Sequence, residues 1–67
     1  MYYTVWCEEL KGHHQERDQG DYTVVDPRKA TQFRTWLQAT ARAGELMTAY
    51  GGLWYAKPHQ WAGSMEE

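Results

Sequence analysis

The residues best equipped for chemistry in this chain are His13 and His14, Cys7, and the adjacent acids Glu8 and Glu9. A histidine pair can seed a metal site, but side chains at consecutive positions diverge, and neither Glu16 nor Asp18 is spaced to complete a ligand set with His13. Cys7 falls in a run with strand character and has no helix N-terminus beside it to activate a thiolate, so a buried structural thiol is expected. As the single cysteine it also excludes an internal disulfide and a cysteine-based zinc site. Glu8 and Glu9 would point to opposite faces of a strand, which is wrong for a cooperating acid and base. These residues predict a protein that is not an enzyme, with no catalytic residue, no metal and no cofactor.

The elements that would position these groups follow from period and punctuation. Tyr2 to Cys7 is dense in aromatic and β-branched residues and reads as a strand, apolar on both faces. Lys11 to Gly20 has no apolar residue and a glycine near each end, as expected of a solvated loop leading to a second short strand at Tyr22–Val25. Asp26-Pro27 predicts a helix start, because Asp accepts bonds from first-turn amides and Pro is preset for the first helical position. The helix is expected to run to about Ala43 and end at Gly44, with Phe33 and Leu37 on its packing stripe.

Beyond it, Leu46–Tyr50 and Leu53–Lys57 flank Gly51-Gly52, a two-residue hairpin signal. That turn would set Ala49 opposite Trp54, Tyr50 opposite Leu53, Thr48 opposite Tyr55 and Met47 opposite Ala56. It would put Tyr50, Leu53 and Tyr55 on the sheet face away from the helix. Because Gly51-Gly52 then leads into a strand and not a helix, it is no phosphate loop. Pro58 is expected to end the last strand, leaving 58–67 as a tail whose one large anchor is Trp61. The expected architecture is α+β: a single domain over residues 1–67, ββαββ, with one helix on one face of an antiparallel sheet.

Sixty-seven residues, ten of them aromatic, suffice for one small core. No run approaches a membrane span, and the first residues lack the basic start of a signal peptide, which together predict a cytoplasmic protein. The net charge of −2 is segregated. Residues 1–26 carry six acids against two bases, whereas residues 27–44 carry Arg28, Lys29, Arg34 and Arg42 and no acid. Two function classes follow. In the first, a protein-binding module uses Glu16, Asp18 and Asp21, or the Tyr50, Leu53 and Tyr55 face, against a basic partner. In the second, which the net negative charge disfavours, Arg28, Lys29, Arg34 and Arg42 contact nucleic acid. Self-association through an exposed face or an edge strand is compatible with either.

The order strand, polar loop, short strand, helix, glycine-turned hairpin, carrying Gly52-Leu53-Trp54-Tyr55-Ala56-Lys57 and a further Trp61, resembles small phage-encoded anti-CRISPR proteins that inhibit type I complexes. That resemblance implies a stoichiometric inhibitor, without cofactor, docking on the nucleic-acid-handling surface of a host ribonucleoprotein complex in the bacterial cytoplasm.

Overall fold

In the computed structural model, which describes residues 1–60, three strands precede the helix and one follows it. They are β1 (Tyr2–Cys7), β2 (Gly12–Arg17), β3 (Gly20–Val24), α1 (Trp36–Tyr50) and β4 (Trp54–His59), with a single 3-10 turn at Pro27–Lys29. The strands form one antiparallel sheet in the order β3-β2-β1-β4. The expected α+β class, four antiparallel strands and one helix, is observed; the positions of two strands and of the helix differ from expectation.

The polar stretch expected as a loop is β2. It lacks apolar residues because ring contacts and hydrogen bonds hold it in place of aliphatic packing. The His13 ring meets Trp6 edge-on at 4.9 Å, and the Arg17 guanidinium lies 4.3 Å above the Tyr22 ring. The β2–β3 hairpin turns at Asp18-Gln19, with Arg17 opposite Gly20 and His13 opposite Val24.

Asp26 does cap a turn, accepting from the Arg28 amide at 3.0 Å, but that turn stops at Lys29. The chain then extends because the sheet claims its backbone. β1 and β2 pair only at Trp6↔His13 and Cys7↔Gly12. Beyond that point Thr31 donates its amide to the His14 carbonyl (3.1 Å) and accepts the Glu16 amide on Oγ1 (2.7 Å), while Phe33 exchanges two backbone bonds with Tyr3 (2.9 and 2.8 Å). Thr31–Phe33 is thus a wedge that satisfies the groups left open where β1 and β2 part. The helix begins after it, at Thr35, whose hydroxyl accepts from the Gln38 amide at 3.1 Å.

A start at Trp36 resets the buried stripe. Ala39, Ala43 and Leu46 face the sheet, Phe33 packs from the wedge, and Leu37, expected on the packing face, is 70% exposed. Helical spacing from Ala39 continues through Gly44 to Tyr50, so Leu46–Tyr50 is helix and the expected hairpin pairs with residues 53–56 do not form. Gly51 and Gly52, at φ 74° and 84°, turn the chain out of the helix into β4. A Cβ on Gly52 would lie 2.8 Å from Glu9 Oε1, the same atom that accepts the Leu53 amide at 2.8 Å. β4 pairs with β1 over six residues, from Tyr2↔His59 to Cys7↔Trp54. Pro58 sits inside it without ending it, because β4 is an edge strand where a missing amide breaks no ladder bond. The tail expectations for Trp61 and the last residues lie outside the described residues.

The core is Val5, Cys7, Ala39, Ala43, Leu46 and Trp54, with Tyr3, Phe33 and Ala56 packed around it. Cys7 is a free thiol and is buried, as expected. The small alanines let α1 lie close over the sheet, so Leu46 supplies much of the buried aliphatic area. Leu46→Ala is expected to cost about 2–4 kcal/mol, whereas Leu37→Ala should stay within about 0.5 kcal/mol. Thermal melts of both variants check the helix register, and equal losses would contradict it.

Candidate functional site: a carboxylate tie beside an open cleft

Asp21 lies on β3 with its side chain toward α1, as set by its pairing with Glu16 and the alternation of the strand. Its carboxylate collects three donors from two other elements. His14 Nε2 of β2 donates to Oδ1 at 2.8 Å, Arg42 of α1 donates to Oδ1 at 3.2 Å, and the Tyr50 hydroxyl at the end of α1 donates to Oδ2. The hydrogen bonds from Tyr50 and then His14 hold Asp21 below the usual carboxylate range, and the same contact raises the Tyr50 phenol. His14 is fully buried; its Nε2 is bonded to Asp21, and its Nδ1 has no hydrogen-bond partner among the described residues. Arg42 also reaches Glu45 at 2.9 Å and Glu16 at 3.6 Å, so its charge is spent on three carboxylates of its own chain.

Next to this tie the molecule is open. A cleft of about 390 Å³ is lined by Leu10, Asp21, Tyr22, Thr23, Tyr50 and Trp54. A second, of about 300 Å³, adjoins it through Leu10, Tyr50 and Trp54 and extends to Glu9 and the Gly51-Gly52 exit. Around them Leu10 is 62% exposed and Tyr50 60%, an apolar rim set among Asp21 and Glu9. Leu10 comes from the β1–β2 turn, where Lys11 has φ 54° and donates its amide to the Cys7 carbonyl at 2.8 Å.

The opposite sheet face holds a different polar group. Thr4 Oγ1 stands between His13 Nδ1 (2.9 Å) and His59 Nε2 (2.8 Å), and the two imidazoles lie 5.2 Å apart. Tyr2 stacks on His59, and the Lys57 ammonium lies 4.1 Å above the Trp6 ring. Thr4 has one hydroxyl proton, so it can donate to only one imidazole and accepts from the other's N–H, an arrangement that requires the accepting ring to be neutral. Burial, then the positive charge of His59 and Lys57, pushes His13 down to about 4; burial and Lys57 lower His59. Asp26 opposes the shift at His13. No group of three or more metal-ligating side chains occurs among the described residues.

The structure separates several residues that the sequence groups together. Tyr50 lines the cleft, Leu53 does not, and Tyr55 lies across β4 on the other sheet face, opposite Trp6, with its hydroxyl donating to Glu8 at 3.3 Å. The expected single Tyr50, Leu53, Tyr55 face therefore does not exist, because the first is helical and the last belongs to an edge strand. Glu16, Asp18 and Asp21 share the β2–β3 hairpin, with Asp18 in its turn and exposed. The four bases expected on one helix are dispersed. Arg28 pairs with Asp26 at 3.2 Å, Lys29 ends the 3-10 turn, Arg34 is exposed in the bend before α1, and only Arg42 is helical. Leu10, Trp54 and His14 are site residues that pattern reading missed; alternation of His14 and Glu16 against Asp21 and Thr23 across an Asp-Gln-Gly turn is the signal that marks His14.

The Thr4 cluster generates a pH dependence. His13 and His59 bind protons more weakly folded than unfolded, so their contribution is complete above the unfolded value of 6.5 and is lost as pH falls toward the folded values. Between about pH 7 and about pH 5, above the carboxylate range, His13 alone should remove about 2 kcal/mol of stability. Denaturant titrations at the two pH values should show this loss, and His13→Gln should diminish it; a flat profile would contradict the cluster. No known family model, curated protein or solved structure matches this chain.

Proposed function

We propose that this protein is a non-catalytic binding module that blocks a nucleic-acid-handling protein or ribonucleoprotein complex by occupying a basic surface on it. The observation that carries this reading is the open cleft lined by the exposed side chains of Leu10 and Tyr50 beside Asp21 and Glu9. Exposed apolar residues around a preformed concavity favour docking, and acids at its edge select a cationic counterpart. Glu16 and Asp18 extend the acidic side along the β2–β3 hairpin. The type I CRISPR complex is the first partner to test, with a bacterial cytoplasmic setting. Support comes from charge and exposure and not from the Gly52–Lys57 segment, which forms a helix exit and an edge strand in place of a hairpin. No described helix is long and apolar enough to cross a membrane. Direct nucleic-acid binding by the four bases has less support, since two of them are held by carboxylates of the chain itself.

The test is the binding of target DNA by a purified type I surveillance complex with the protein added at stoichiometric amounts. The wild type should abolish it. Leu10→Ser should weaken inhibition about tenfold or more while leaving the melt within a few degrees, since this cleft-lining side chain is exposed. An unaffected complex together with binding of generic DNA or RNA at physiological salt would overturn the proposal.

A further inference from the structure

We infer that the outer edge of β3 is a strand-addition site for a basic, extended segment of the partner. The inference rests on the docking reading above and states how the contact is made. The sheet order leaves two edges, β3 and β4. They are protected unequally. On β4, Pro58 lacks an amide, and Lys57 adds a charge, both of which discourage a further strand. Gly20–Val24 holds neither a proline nor a lysine.

The direction of β3's unused groups follows from its neighbour. The His14 carbonyl and the Glu16 amide are bonded to Thr31 on the β1 side of β2, so His13, Gln15 and Arg17 are the β2 residues whose backbone faces β3. Their partners are Val24, Tyr22 and Gly20. The amides and carbonyls of Asp21 and Thr23 therefore point away from the sheet. The same two residues line the cleft with Leu10, Tyr50 and Trp54, so a strand added to this edge would set one of its side chains into the concavity.

Charge selects the occupant. Glu16, Asp18, Asp21 and Glu45 lie on or beside this side of the molecule against Arg17 and Arg42. A second copy would bring acid against acid, whereas an extended segment alternating basic and apolar residues would meet the acids and fill the cleft.

The test uses a short peptide of alternating lysine and valine, and the same peptide N-methylated at every second amide, which keeps the charge but cannot complete a ladder. Both are titrated into the isotope-labelled protein at physiological salt, with amide hydrogen exchange read by NMR. The unmodified peptide should perturb and protect the Asp21 and Thr23 amides, and the methylated one should bind about tenfold more weakly or worse. Thr23→Pro removes an outward amide and should lower affinity similarly without loss of the β2–β3 ladder; should that variant not fold, the methylated peptide on the wild type gives the same comparison. Equal binding of both peptides would overturn strand addition. If Leu10→Ser then abolished that binding, docking at the cleft would stand without it. Protection of the two amides by self-association, removed on dilution, would replace the basic segment with a second copy and overturn the inference.

Discussion

The carboxylate of Asp21 is the constraint on which the arrangement of the molecule depends. Three donors converge on it, from β2 through His14 and from both the middle and the end of α1 through Arg42 and Tyr50. The apolar contact between helix and sheet is made largely by two alanines and one leucine, which allow close approach but provide little shape to fix rotation or tilt. Directional bonds supply what the alanines do not. They pin the last turn of α1 over β3, and that placement leaves the cleft open between Tyr50, Trp54 and Leu10. Leaving His14 Nδ1 in the interior without a hydrogen-bond partner among the described residues is the cost of using a histidine for this tie.

A second feature, the Thr31–Phe33 wedge, explains why the helix starts where it does. The parting of β1 and β2 leaves backbone groups that need partners, and the residues after Ala30 supply them. Asp26-Pro27 retains its local preference and makes one turn, but the tertiary demand on Thr31 and Phe33 prevents propagation. Nothing at Thr31–Phe33 announces this in the sequence, since the partners are distant residues. The true start was legible in principle: Thr35-Trp36-Leu37-Gln38 has the spacing of a capping box.

Residues whose local chemistry and tertiary role agree were read correctly. Tyr2–Cys7 is a strand for the reason its composition suggests, and four antiparallel strands with one helix are present. Gly51-Gly52 was recognisable as a break with positive φ, but the same glycine pair serves a hairpin and a helix exit, and the pairing of β4 with β1 decides between them. β2 was invisible to hydrophobic period because its stability comes from His13, His14 and Arg17 contacts. The site was legible in part for the same reason. Asp21 and Tyr50 meet at the cleft, whereas Leu53 and Tyr55 are grouped with Tyr50 only through a hairpin that does not form.

The tie at Asp21 is tested most directly by a double-mutant cycle of Asp21→Asn and Tyr50→Phe, each variant measured by denaturant titration near neutral pH. If the carboxylate and the phenol hold α1 against β3 together, the two changes should couple by about 1 kcal/mol, because either one alone already breaks the contact. Additive losses, agreeing within about 0.3–0.5 kcal/mol, would show that the helix is positioned without the tie and would contradict this account.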